Sequence, residues 1–212
     1  MNSSKDGTKD DVNLQNNLLL QHLKNLTAKK ETVNSLKING IFSSEKLFIR
    51  PIKACDETIY RHLFSDPEIT KYTGGVVSED QIAVCFEQSI NELGAVPAQY
   101  LTWVIQEKDS EESIGILNVV LYEKPMHSAE LGVMLTKDNH NQGYCSELLA
   151  RFIEYFLIEK EISSLFCFSL DNNKAVTHIL NKLSFTKIES APFKKPLSDG
   201  CYWVINRGDL TN

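Results

Sequence analysis

Asn139-His140-Asn141-Gln142-Gly143-Tyr144-Cys145-Ser146-Glu147 follows the apolar run Leu131–Leu135 and opens directly into a strongly patterned helix. Leu148, Leu149, Phe152, Ile153, Phe156 and Leu157 recur at the spacing that aligns one buried helical face. A strand, a polar loop with a central glycine and a helix N-terminus form an arrangement that binds anions. The first helical N–H groups lack internal partners and carry the positive end of the helix dipole. Gly143 lets the backbone approach an anion with no Cβ in the way. The same pattern also suits an ordinary strand–helix turn, so the surrounding sequence decides.

The chain has 212 residues, enough for one domain of moderate size with a proper core. Hydrophobic residues make up 42% and charged residues 24%, an ordinary globular composition. The net charge of −6 argues against a nucleic-acid binder, which usually carries excess Lys and Arg, and weakly favours a cationic substrate. Leu18-Leu19-Leu20 is far too short for a membrane span or a signal-peptide core, so the expected location is the cytoplasm. Five cysteines are scattered without a C-x-x-C pair, which suits reduced thiols and gives no metal site.

Residues 1–12 hold too little apolar content to order alone. The looser pattern Leu14, Leu18, Leu23, Leu26, Val33, Leu36 leaves two readings of residues 1–44 open: an amphipathic helix on the domain or a partner, or a partly ordered extension. The domain proper spans residues 45–212. It opens with a strand, Lys46–Ile52, stopped by Pro51. Asp56 is placed to cap a short helix with Ile59, Leu63 and Phe64 on its apolar side. After the Gly74-Gly75 turn, Ser78-Glu79-Asp80-Gln81 reads as a capping box for a helix carrying Ile82, Phe86, Ile90 and Leu93. Tyr100–Gln106 and Ile114–Tyr122 form a hairpin, and Ala129–Leu135 a further strand. Ser164–Leu170 is dense enough to be covered on both faces. A helix through Ala175, Val176, Ile179, Leu180 and Leu183 follows, then strands Phe185–Ile188 and Cys201–Ile205. The order β-α-α-β-β-β-α-β-α-β-β specifies a mixed sheet with helices on its faces.

This order, with four segments in place, resembles the GNAT-type N-acetyltransferases, in the branch of ribosomal-protein N-terminal-alanine and spermidine acetyltransferases. The segments are Leu47–Ile52 with Asp56 and Asp66-Pro67-Glu68-Ile69; Ile114-Gly115; Ala129-Glu130-Leu131-Gly132-Val133-Met134-Leu135; and Asn173-Lys174-Ala175 with Leu180-Asn181-Lys182-Leu183-Ser184-Phe185. The resemblance implies an α/β (α+β) fold: a mixed, mostly antiparallel sheet of six to seven strands with helices on both faces. It also implies acetyl-CoA as cosubstrate, no metal, and a primary amine as acceptor.

In that family the loop reads Q/R-x-x-G-x-G/A and holds the cofactor pyrophosphate; the matching positions here are His140, Gly143 and Cys145, of which only Gly143 agrees in type. Tyr144, Ser146 and Glu147 fit the branch's usual wording, and Asn141 and Gln142 complete the expected cradle. Most phosphate contacts come from backbone N–H groups, which do not depend on side-chain identity. The resemblance assigns Val133, Met134 and Leu135 backbone contacts to the pantetheine arm, one N–H polarising the thioester carbonyl. It gives Asn173 a contact to the same arm, where a plain helix cap is the alternative. Glu130 becomes the general base, against the bland reading of an exposed strand glutamate. The branch often carries a serine acid three residues after the asparagine; here that residue is Val176, and no acid is assigned.

The resulting expectation is an N-acetyltransferase acting on a protein N-terminus, a polyamine or another small amine. The rival is a catalytically weak acyl-CoA-binding protein that engages a partner through its N-terminal extension. A homodimer docked through Leu14–Leu36 is compatible with either. Acceptor recognition is expected from residues near Tyr72–Val77 and Pro192–Tyr202.

Overall fold

Leu101, Trp103 and Ile105 alternate with Tyr100, Thr102 and Val104, so strand β3 (Tyr100–Glu107) offers a buried side chain to both faces of a sheet. In the computed structural model, which describes residues 40–92, 100–122, 127–191 and 200–210, β3 is an interior strand. The other strands are β1 (Phe42–Ser43), β2 (Leu47–Pro51), β4 (Ser113–Tyr122), β5 (Ser128–Leu135), β6 (Ser164–Leu170), β7 (Thr186–Ile188) and β8 (Gly200–Asn206). They form one eight-stranded sheet in the order β1-β2-β3-β4-β5-β6-β8-β7. Every pairing is antiparallel except β5 with β6. The expected six to seven strands become eight because β1 spans two residues, too few to carry a period. The Leu14–Leu36 pattern and residues 192–199 lie outside the described residues.

Helices cover both faces. On one, α4 (Tyr144–Ile153) and the π-helical turn Glu154–Glu159 that continues it bury Leu148, Phe152, Phe156 and Leu157 against Leu101, Trp103 and Leu117. Phe42 stacks on Tyr155 with ring centroids 4.7 Å apart, and Trp103 Nε1 donates to the Gly40 carbonyl at 3.0 Å. On the other face, α1 (Glu57–Ser65) and α3 (Glu79–Glu92) lay Tyr60, Leu63, Ile82 and Phe86 over Tyr100, Val104, Ile116 and Met134. The four-residue α2 (Pro67–Thr70) joins them; Asp66 caps it, accepting from Glu68 N at 2.7 Å and Ile69 N at 3.3 Å. Helix α5 (Lys174–Lys182) follows β6. Among the described residues no helix is long and apolar enough to cross a membrane.

Asp56 does not cap α1 with its side chain. Its carboxylate instead takes two hydrogen bonds from the Arg50 guanidinium, each 2.7 Å, and a third from the Lys53 amide. Arg50 in turn donates Nε to Gln106 at 2.9 Å. A bidentate arginine fork outcompetes a single helix N–H for a buried carboxylate. The pair staples the start of α1 to β2, and both residues are buried, at 9% and 5% exposure. The Asp56 carboxylate raises the Arg50 pKa further. Asp56→Ala leaves a buried guanidinium without its partner, so a stability loss of about 3–5 kcal/mol is expected from denaturant unfolding. Asp66→Ala, which removes an exposed cap, is expected to cost only about 1 kcal/mol in the same assay.

Candidate active site

Strands β5 and β6 pair in parallel from Ser128↔Ser164 to Leu131↔Cys167, and there the pairing ends. β5 continues to Leu135 on β4, while β6 continues to Leu170 on β8, so the sheet opens between them without either strand losing its outer neighbour. The Thr136 amide donates to the Ile114 carbonyl on β4. The two-residue alternation of a strand then turns the backbone groups of Val133 and Leu135 to the opposite edge, into the gap. Gly115 helps hold β5 on the β4 side: a Cβ there would stand 2.3 Å from the Met134 carbonyl oxygen and 2.6 Å from a Leu135 methyl.

The gap leads into the loop. His140 turns its ring back to the strand end, Nε2 lying 3.0 Å from the Leu135 carbonyl, so the nitrogen facing that oxygen carries the proton. Asn141 and Gly143 both adopt left-handed backbone, at φ 60° and 84°. Left-handed residues of this kind recur in loops whose backbone amides form anion-binding nests. Gly143 is the N-cap of α4, no side chain caps that end, and a Cβ at Gly143 would touch nothing within 4 Å. No side chain caps the N–H groups of the first turn, and Tyr144, Cys145 and Ser146 all border a cleft. The helix start is fixed from behind. Glu147 accepts from Ser44 Oγ at 2.6 Å and from the Lys46 amide at 2.7 Å, and the Tyr144 hydroxyl donates to the Glu107 carboxylate.

A cleft of about 510 Å³ runs over this loop and along the gap. It is lined by Val133, Met134, Leu135, His140, Asn141, Gly143, Tyr144, Cys145, Ser146 and Asn173, so these residues border one space; the alternation that turns Val133 and Leu135 to the gap turns the Met134 backbone to β4 instead. Gln142 stands apart, its side chain donating to the Asp138 carbonyl at 2.7 Å. Asn173 caps α5, Oδ1 accepting from Val176 N at 3.3 Å; the oxygen is committed and its amide nitrogen remains. Val176 itself lines the cleft and brings no proton donor to it. Burial pushes the half-buried Cys145 thiol up to about 11, despite its place in the first turn of a helix. The far wall is Glu68, Ile69, Lys71, Tyr72 and Thr73, from α2 and the turn after it; of these only the neighbourhood of Tyr72 was expected, because turn residues carry no period.

Glu130 does not line that cleft. Strand alternation sets Glu130, Gly132 and Met134 on the face covered by α1 and α3, opposite the side chains of Leu131, Val133 and Leu135. Glu130 is half-buried and accepts from the Tyr122 hydroxyl at 3.0 Å. Burial, and then the Glu130 charge, push the Tyr122 and Tyr202 hydroxyls well above the ordinary tyrosine range, so both stay protonated beside the carboxylate. His178 and Ser184, the other polar residues near the cofactor end, are exposed on and after α5.

Residues 46–186 match the family described as the acetyltransferase (GNAT) domain. An N-acetyltransferase of uncharacterised role from Bacillus subtilis (strain 168), YoaA, is 24% identical over 152 residues, covering 69% of this chain and 83% of that protein. Another, p20 of Bacillus licheniformis, is 27% identical over 145 residues, covering 68% and 81%. Among solved structures, an acetyltransferase from Agrobacterium tumefaciens str. C58 superposes with a TM-score of 0.67 at 16% identity, covering 84% of this chain and 99% of that one. The spermidine N-acetyltransferase of Vibrio cholerae, solved with CoA and spermine, gives 0.66 at 14% identity, covering 79% and 99%. At such identities the structural likeness speaks for the fold. The family match covers well over half the chain and the curated relatives agree with it: this protein belongs to the GNAT acetyltransferase family and is an acyltransferase.

Proposed function

We propose that this protein transfers the acetyl group of acetyl-CoA directly to a primary amine, with Glu130 as general base. The observation that carries the reading is the open β5–β6 edge running into the uncapped N-terminus of α4, with a carboxylate on the other face of the same strand. When bound, acetyl-CoA supplies an activated acyl group whose carbonyl oxygen gains negative charge as the amine attacks. The loop amides from Asn141 to Ser146 hold the pyrophosphate, with the α4 dipole behind them. The Val133 and Leu135 backbone groups would align the pantetheine arm, one N–H of this edge supplying a donor to the thioester carbonyl oxygen. Asn173 adds its amide nitrogen to that arm.

Glu130 takes the amine proton directly or through one water, while Tyr122 holds the carboxylate in place. No acid is assigned to the departing thiolate, since Val176 stands at the expected position; a thiol pKa of about 8.5 lets water protonate it. Holding the two reactants together supplies roughly 7–11 kcal/mol of the barrier, so a ternary complex needs no protein nucleophile. The apolar Val176 favours one second reading, a slow enzyme that serves mainly as an acyl-CoA-binding partner protein. A CoA-release assay over peptides, polyamines and small amines separates the two: turnover of at least one class supports the transferase, and acetyl-CoA binding with no acetylation anywhere supports the rival.

Gly143→Val places a branched side chain in the nest and in a left-handed backbone position, so calorimetry is expected to show the acetyl-CoA Kd rising at least ~10-fold. Glu130→Gln keeps a hydrogen-bond acceptor for Tyr122 but removes the proton acceptor. A kcat fall of about 10²–10⁴ with acetyl-CoA affinity within twofold is expected; unchanged kcat across the pH range would remove Glu130 as base. Because the Cys145 pKa is raised to about 11, this thiol stays protonated at pH 8. Its alkylation by iodoacetamide, followed by mass spectrometry, should run roughly a hundredfold slower than that of a free thiol and slow further with acetyl-CoA.

A further inference from the structure

Thr102 and Asn118 face each other across β3 and β4, on the sheet face that also carries Glu130. Thr102 is fully buried, and its hydroxyl donates to Asn118 Oδ1 at 2.9 Å. That bond fixes which end of the amide points where: the oxygen is committed to Thr102, and the amide nitrogen is turned away from it. Among the described residues nothing accepts from Asn118 Nδ2, although neighbouring positions on this face, Val104, Ile116 and Val120, are buried and apolar. Asn118 itself is half-buried, so its amide nitrogen is not sealed into that core.

The next strand opens the space in front of it. Asn118 pairs with Gly132 on β5, and a Cβ at Gly132 would touch nothing within 4 Å. Glu130 and Met134 flank Gly132 on the same face, one holding the carboxylate and the other lining the cofactor cleft. Asn118 and Glu130 are thus diagonal neighbours across β4 and β5, a spacing of ~7–8 Å or somewhat less between Cβ atoms. The open space over Gly132 lies between the two side chains.

We propose that Asn118, oriented by Thr102, is a specificity-determining residue of the acceptor site, donating to an uncharged carbonyl or hydroxyl oxygen two or three bonds from the reacting amine. The inference rests on the amine-transfer reading above. It assigns the enzyme to amines that carry a neighbouring oxygen, such as amino amides, peptide-like α-amines or amino alcohols. Alkyl polyamines offer Asn118 nothing: they have no acceptor at this distance, and their second ammonium would meet an N–H donor.

The test compares alaninamide, 1-amino-2-propanol and n-propylamine as acceptors at saturating acetyl-CoA. Wild type is expected to favour one or both oxygen-bearing amines over propylamine by roughly tenfold in kcat/KM, mainly through KM, the scale of one buried hydrogen bond. The two oxygen-bearing arms tell a carbonyl from a hydroxyl preference. Asn118→Leu should lower the ratio roughly tenfold from its wild-type value, mainly through the KM of the oxygen-bearing amine, with the acetyl-CoA Kd within twofold. Thr102→Val should erode the same ratio less, and Asn118→Ser, too short to reach, repeats the Leu result with a polar side chain. A ratio unchanged by Asn118→Leu and Asn118→Ser, or equal losses on all three amines, would overturn the inference while leaving amine transfer intact. So would a wild type that prefers propylamine. Wild-type protein that binds acetyl-CoA yet acetylates none of the three, nor any amine in the wider panel, overturns the transfer reading and this one with it.

Discussion

Parallel pairing of β5 with β6 stops at Leu131↔Cys167, and the rest of the site is arranged around that stop. Opening a sheet in its middle would normally leave two rows of unsatisfied backbone groups. Here each strand keeps its outer partner, β4 for β5 and β8 for β6, so only the inner edges are exposed, over Gly132–Leu135 and Phe168–Leu170. Gly115 permits the close approach of β5 to β4 that this divergence requires, since any side chain there would strike the Met134 carbonyl. The exposed edge is then a resource. It offers a row of donors and acceptors at one end of a cleft whose other end is the bare N-terminus of α4.

The two faces of β5 give that edge two separate approaches. Val133 and Leu135 send side chains into the α4 core, whereas Glu130, Gly132 and Met134 face α1 and α3. A cofactor in the gap and an acceptor above Gly132 can therefore meet at one strand without competing for the same volume. Both approaches depend on fixed flanks. Arg50 and Asp56 staple α1 to β2, and Glu147 and Tyr144 tie the start of α4 to residues 44–46 and to β3. These anchors are polar contacts, of which the bidentate Arg50–Asp56 fork is the most directional.

The strands were legible because a half-buried or doubly covered strand leaves a mark on every residue; Ser164–Leu170 appears in the structure with the bounds read from the sequence. Helices α3, α4 and α5 were legible for the same reason. Asp56 was misread because a carboxylate before a helix is equally a cap or an ion-pair partner, and only the fold brings Arg50 alongside. The convergence of Val133, Gly143 and Asn173 on one cleft was visible through family resemblance, while the Glu68–Thr73 wall carries no pattern by which a sequence could announce it. Asn118 did leave a signal: a lone amide inside the apolar run from Ile114 to Leu121. Its meaning emerges only when Thr102 and Gly132 are placed on either side of it.

His140 shows how a departure from the family's usual loop residue can leave the loop's work intact. The family's glutamine or arginine at this place suggests a side chain reaching the phosphates, yet the His140 ring reaches backward to the Leu135 carbonyl instead. That bond closes the loop onto the end of β5, in the same way that Gln142 closes it onto Asp138. With both polar side chains spent on the loop itself, any anion bound there would meet backbone amides, in a loop shaped by left-handed residues at Asn141 and Gly143. Amides in such a nest are already oriented before any ligand arrives, so little ordering remains to be done on binding. His140 thus serves the structure of the loop. This reliance on backbone also explains why Gly143 is the one position in the motif that retains the family's residue: the shape of the nest depends on its backbone, and no side chain can supply that.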